Sequence, residues 1–196
     1  MGMQRRVAIV AVALVLLGLV LGACGPRALE LEPTPYRDQG GAYTVHYPRG
    51  WMYEELPGQV TFYEDEEAVR QTPPTVPVVI IASGTFVEMA PALSQEPSTG
   101  PENARDMVQA WLDLFASQEI PYDAGGIKDL TVGQEQAAYV EVAVRAFGDQ
   151  TQRLVCVHLG DRGVWIAGIG ESEAWSRFIP TFDAMLASMT FLEPQQ

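Results

Sequence analysis

Two histidines and two cysteines are all that these 196 residues hold of the side chains that most often serve as neutral-pH bases, nucleophiles and soft metal ligands. His46 and His158 fall in different predicted strands. Cys24 belongs to a segment whose chemistry, described below, takes its thiol out of play, which leaves Cys156 alone and no intrachain disulfide open to the chain; a domain of this size can fold without one. There is no Gly-rich phosphate loop, no Gly-x-Ser-x-Gly elbow and no zinc signature. Bases are scarce too: 12 Lys and Arg stand against 25 Asp and Glu, a formal charge of −13. Such a surface repels nucleic-acid phosphates and anionic lipid alike, so nucleic acid is not an expected partner.

What the chain does have begins at its start. Arg5 and Arg6 are followed by Val7 to Ala23 without one charged side chain, and then by Leu21-Gly22-Ala23-Cys24. Seventeen apolar residues make a helix of roughly 25 Å, short of the ~30 Å hydrocarbon core. The basic pair keeps the N-terminus in the cytoplasm, so the rest of the chain is exported. Small residues before Cys24 resemble the bacterial lipobox, in which the cysteine thiol is acylated and becomes the new N-terminus. Residues 1–23 are therefore predicted to be a signal peptide and Cys24 the lipidation site; an uncleaved anchor and an ordinary cleaved signal are the alternatives. At ~0.8 kcal/mol per buried methylene, two or three acyl chains hold a protein on a bilayer. A twin-arginine reading of Arg5-Arg6 fits its flanks less well. Removing the two arginines takes the charge from −13 to −15. Gly25 is not the aspartate that retains some lipoproteins in an inner membrane.

Residues 24–40, with Pro26, Pro33 and Pro35 among charged residues, read as a tether of some tens of ångströms at ~3 Å per residue, part of which has the option of packing on the domain. Residues 41–193 read as one α+β domain. Tyr43, Val45 and Tyr47 alternate with polar residues, Pro48-Arg49-Gly50 turns, Trp51 to Glu55 is a strand, Pro57-Gly58 turns again, and Val60 to Tyr63 completes an expected antiparallel meander. Glu64-Asp65-Glu66-Glu67 is contiguous, unlike the spaced ligands of a Ca²⁺ loop, and reads as a solvated run before a weak cation site. Val78 to Ala82, apolar on both faces, is a central strand. Glu88 to Pro101 reads as a long surface loop, and Thr99 and Glu102 have capping-box spacing.

From Glu102 to Gln118 apolar residues recur at three and four, marking an amphipathic helix whose Trp111 and Phe115 serve the core. Ile127 to Val132 is a short arm. From Gln136 to Phe147, Ala138, Val140, Val142, Val144 and Ala146 face one way, with Glu141 and Arg145 on the other face as a surface or cross-strand ionic arrangement. Arg153 to Leu159 and Val164 to Ile169 are central strands, and Trp175 to Met189 is a closing helix. Ser172 is its expected N-cap, and Pro180 is expected to kink or split it. Gly125-Gly126 and Gly168-x-Gly170 read as turn and strand-end glycines.

Three stretches carry a family resemblance. Tyr47-Pro48-Arg49-Gly50-Trp51 resembles the aromatic-Pro-x-Gly-Trp opening of PsbP-like proteins, and Leu130-Thr131-Val132-Gly133-Gln134-Glu135-Gln136-Ala137 is similar to the stretch before their long hairpin. Pro180 to Met189 is similar to their closing helix, which usually ends in Ser-Phe, where this chain has Met189 and reaches Phe191 two later. The resemblance spans Ala42 to Leu192. It implies an antiparallel sheet of about six or seven strands between helices, an α/β/α sandwich. That superfamily includes an extrinsic photosystem subunit, a Ran-binding nuclear transport factor and many bacterial lipoproteins; its members mostly bind or stabilise partners, and it supplies no catalytic set to carry over.

One pair invites chemistry. Cys156 and His158, two apart, share a face of one strand, as a thiolate–imidazole pair or two metal ligands would. Yet Leu154, Val155 and Val157 describe an apolar strand, and further metal ligands do not cluster nearby. The expectation is a non-enzymatic module without cofactor or metal, held by Cys24 on the extracytoplasmic side of a membrane and binding a protein or envelope component. A small-ligand or metal-binding module is the alternative, and a Cys156/His158 enzyme the third.

Overall fold

The computed structural model describes residues 26–70, 74–85, 100–145 and 148–192. Its main element is an eight-stranded antiparallel sheet of β3 (Met52–Leu56), β4 (Gln59–Tyr63), β5 (Val78–Thr85), β10 (Arg162–Glu171), β9 (Gln150–Leu159), β8 (Glu135–Val144) and β6 (Tyr122–Ala124) in that order, with β7 (Lys128–Val132) also paired to β8. A smaller sheet joins β1 (Tyr36–Arg37), β2 (Tyr43–Val45) and β11 (Thr190–Phe191). Helix α1 (Glu66–Arg70) is a single turn, α2 (Ala104–Ser117) covers one face of the main sheet, and α3 (Ser172–Ser188) covers the other. The α+β class and the antiparallel sheet flanked by helices are as read from the sequence, with eight strands in place of six or seven.

The strand alternation sorts the core into two layers. Val60, Phe62, Val79, Ile81, Val155, Val157, Val164 and Ile166 meet Trp175, Phe182 and Met185 of α3. Ala138, Val140, Val142 and Val144, the predicted inward set of β8, meet Met107, Val108 and Leu112 of α2. Each fully buried aliphatic or aromatic side chain contributes about 1.5–3 kcal/mol relative to exposure.

Several expectations are corrected. The strand at Tyr43 is not part of the meander: β2 pairs with β1 and β11, while β3 and β4 alone form the hairpin. Both sides of β2 find partners far along the chain, which local alternation does not specify. The sequence leaves open whether part of the tether packs on the domain, and from Leu29 onward it does. The Leu29 amide donates to Thr181 Oγ1 at 2.8 Å, Leu31 bridges Pro48, and Tyr36 and Asp38 are buried.

Asn103, not Thr99 with Glu102, caps α2, accepting from the amides of Arg105 and Asp106 at 2.9 and 3.1 Å, an arrangement worth about 1 kcal/mol. Thr99 and most of the expected loop before it lie outside the described residues. Glu171 holds the N-cap position of α3, and the Ser172 hydroxyl instead donates to Asp149 Oδ1 at 2.7 Å. α3 is not split: it runs unbroken across Pro180. Gly168 lies inside β10 rather than at its end, directly under the Trp175 ring.

Candidate functional site

Cys156 and His158 do share the α2 face of β9, but the structure gives them different surroundings. Cys156 is fully buried among Ala138, Val140 and Leu154 beneath α2, and burial pushes its thiol well above the ordinary range. A thiolate there has no counter-charge, the opposite of an activated nucleophile. His158 is half-buried at the strand end, its Nε2 donating to the Pro101 carbonyl at 3.0 Å. His46 lies on the other side of the molecule, its Nδ1 donating to the Glu32 carbonyl at 2.6 Å. Glu141 pairs across strands with Arg153, whose guanidinium also meets Asp183 of α3 at 2.8 Å, whereas Arg145 pairs with Asp123. The acidic run is exposed, and Asp65 accepts from the Glu67 amide at 2.9 Å to start α1. Among the described residues no three His, Cys, Asp or Glu side chains converge on a metal position. Cys24 lies outside the described residues.

What the sequence reading did not find is a common end. The β3–β4, β7–β8 and β9–β10 turns, the end of β5 and the start of α2 all collect at one end of the main sheet, and three clefts open there. The first, about 530 Å³, lies between the β1–β2 and β3–β4 turns and is lined by Tyr36, Asp38, Glu55, Leu56 and Arg162 among others. The second, about 650 Å³, has Asn103, Arg105, Asp129, Gln136 and His158. The third, about 340 Å³, shares Arg162 with the first and His158 with the second.

In the first cleft Asp38 Oδ2 accepts from the Ala42 amide at 2.9 Å, and Glu55 Oε2 accepts from Gln39 Nε2 at 2.5 Å. Burial, and then the Glu55 carboxylate beside it, push the Tyr36 phenol above its ordinary value. Two carboxylates face one guanidinium, so the cleft suits a cationic group better than an anionic one. In the second, Arg105 is held by Asp129 at 2.5 Å and by the Ile127 carbonyl at 3.0 Å. The sequence signals were the turn residues Pro57-Gly58 and Gly160-Asp161-Arg162-Gly163, which mark turns without saying which of them adjoin.

No family model and no curated protein matches the chain. Solved structures do. Cyanobacterial PsbP (CyanoP) from Synechocystis sp. PCC 6803 superposes with a TM-score of 0.54 at 14% identity, over 87% of this chain and 98% of that one. LpqN, described as involved in cell envelope biogenesis of Mycobacterium tuberculosis, gives 0.53 at 13% identity, over 86% and 100%. A Bacteroides thetaiotaomicron protein gives 0.51 at 12% identity over 81% of this chain, which spans about half the length of that larger one, 48%.

The fold is PsbP-like.

The residues that carried the resemblance hold this PsbP-like fold together where its layers meet. In Tyr47-Pro48-Arg49-Gly50-Trp51, the Tyr47 ring stacks on Phe62 at 5.1 Å, and the Trp51 amide donates to the Pro48 carbonyl at 3.1 Å. Gly50 takes a φ of 83° that glycine adopts without strain, and Trp51 stacks on Phe178 of α3 at 5.0 Å. Gly133 turns β7 into β8 at φ 59°, where a Cβ would stand 2.5 Å from the Met189 carbonyl oxygen. Met189, in place of the usual phenylalanine, is buried, and Phe191 pairs in β11. No helix among the described residues is long and apolar enough to cross a membrane.

Proposed function

We propose that the protein is a lipid-anchored, non-enzymatic binding module of the cell envelope, acylated at Cys24, facing away from the cytoplasm and engaging a protein or other envelope component. The observation that carries this reading is where the chain joins the body. Leu29 is already hydrogen-bonded to α3, so only five residue steps separate it from Cys24, a reach of about 17 Å at full extension. The anchor therefore holds the domain close to the bilayer rather than on a long leash. The chain arrives beside Pro48, near the start of β3, and the first cleft lies at the far end of that strand, about 17 Å on for five residues. The clefts then open away from the lipid. LpqN, with the same fold, is described as an envelope-biogenesis protein, which supports an envelope setting.

Metabolic labelling with palmitate tests the anchor. The wild-type chain is expected to take up label and sediment with membranes, and Cys24→Ser to do neither; an unlabelled wild-type chain would sink the reading. A second reading, a small-ligand site, is favoured by the 530 Å³ first cleft, large enough for a compact molecule. The thiol-dependent enzyme is disfavoured by the depth at which Cys156 lies.

A further inference from the structure

Among the described residues, no strand pairs with the β3 edge of the main sheet. All five of its residues are exposed, with Met52 43%, Tyr53 45% and Leu56 56% accessible. An open edge presents a row of backbone donors and acceptors to any extended chain of suitable side chains. The β3–β4 hairpin closes through two residues, Pro57 and Gly58, so the flanking pair Leu56 and Gln59 exchange both hydrogen bonds, as do Glu54 with Thr61 and Met52 with Tyr63. The backbone groups of Tyr53 and Glu55 therefore point outward, and no described strand pairs with them.

The side chains say what would fit. Tyr53 and Glu55 share the α3 face with Tyr36, whose ring meets Tyr53 edge-on at 5.2 Å, and Glu55 forms a wall of the first cleft together with Asp38. Met52, Glu54 and Leu56 lie on the opposite face. A second copy of this chain is a poor occupant: antiparallel pairing of β3 on itself about its middle residue sets Glu54 against Glu54, and like charges directly opposite destabilise a pair. An added strand with Lys or Arg at alternating positions is complementary instead. A cation beside Glu55 has Asp38 beyond it and the Tyr36 and Tyr53 rings alongside.

We propose that β3 is a docking edge for an extended basic peptide segment, which adds as a further antiparallel strand and places one cationic side chain in the cleft between Glu55 and Asp38. This deepens, and rests on, the reading of the domain as a binding module.

The test uses the full chain in detergent micelles and three fluorescent heptapeptides: alternating Lys-Val, alternating Glu-Val and alternating Lys-Pro. The last keeps the charge of the first, but proline at every second position fixes φ at about −65° and favours a polyproline-like conformation, whose backbone groups do not line up along a sheet edge. The Lys-Val peptide is expected to bind at least tenfold more tightly than either other, and to slow hydrogen exchange at the Tyr53 and Glu55 amides. Tyr53→Pro, which removes an outward amide without touching the β4 ladder, and Glu54→Lys with Glu55→Lys are each expected to weaken it tenfold or more. Near-UV circular dichroism checks that the fold is kept. Equal binding of Lys-Val and Lys-Pro would reduce the effect to net charge and overturn the proposal. So would exchange protection elsewhere, or a concentration-dependent dimer that Tyr53→Pro abolishes. Envelope partners captured equally by wild type and Tyr53→Pro would overturn this inference alone, leaving the binding-module reading in place.

Discussion

On one side of the main sheet α3 reaches across from β7 and β9 to β10, and the small sheet closes the layer beyond it, so that Trp175, Phe182 and Met185 are sealed to 1% exposure or less. On the other side α2 lies over β8 and β9 and stops at β10, where Trp111 stacks on a half-buried Trp165 at 4.6 Å. Beyond that point Val78 on β5 and Tyr63 on β4 are still buried on the α2 face, but Ile80 and Thr61 are half-buried and Leu56 on β3 is exposed. One face is a closed core that fixes the fold. Among the described residues the other is less completely closed, and it is most exposed at the β3 edge. The difference shows that stability and accessibility are divided between faces, not spread evenly over the sheet.

Truncation across the sheet is the sharpest way to break that division. Phe182→Ala, at a fully buried ring of the α3 layer, is expected to cost about 4 kcal/mol, while Trp111→Ala, at the rim of the α2 layer, is expected to cost about 2 despite removing a larger side chain. Urea midpoints at unchanged m-value measure both. Equal costs would mean that the two layers are equally sealed.

A smaller effect comes from Gly168. A Cβ there would stand 2.1 Å from Trp175 Cη2 and 2.9 Å from Phe182 Cε2, so Gly168→Ala is expected to destabilise by about 3 kcal/mol through overpacking. The Trp175 Nε1 is already buried without a hydrogen-bond partner, and a displaced ring gives it a route to water, visible as a red-shifted tryptophan emission. An unshifted spectrum with native stability would show that the α3 layer has slack.

How far the sequence carried these conclusions depends on the range of the contact. The alternation of Ala138, Val140, Val142 and Val144 and the three-and-four spacing of Met107, Val108 and Trp111 named the α2 layer correctly, because both periods are local. Tyr43 and Val45 alternate just as well, but whether such a strand joins β3 or leaves for β1 and β11 is decided by Thr190 and Phe191 at the other end of the chain. Tyr36 and Asp38 lay among prolines and charges that describe an extended segment, with no signal that its rings and carboxylate are buried. Gly168 looked like a strand end because glycine usually is one; the reason it is needed, the Trp175 ring above it, sits on another element. The clefts were illegible for the same reason, since Glu55, Asp38 and Arg162 meet only once three turns are brought to one end.

The smallest expected effect separates the two faces by pH. Cys156 belongs to the α2 layer, and its thiol is raised by burial; Tyr43 and Tyr36 belong to the α3 layer and are raised mainly by burial as well. An unfolded thiol ionises near pH 8.5–9 and an unfolded phenol near 10, by ordinary values. Between about pH 9 and 10 the unfolded chain has therefore released the Cys156 proton while the folded chain retains it. The folded state binds more protons, and the unfolding free energy falls as pH rises, by at most about 1.4 kcal/mol per pH unit. Cys156→Ala removes that slope and leaves the tyrosine contribution, which enters only above about pH 10. Urea unfolding of both proteins at pH 8, 9 and 10 is expected to show the variant losing about 1 kcal/mol less than the wild type over the range. Parallel curves would mean that the thiol ionises in the folded protein too, so that water reaches β9 beneath α2 and the α2 layer is open over its whole width.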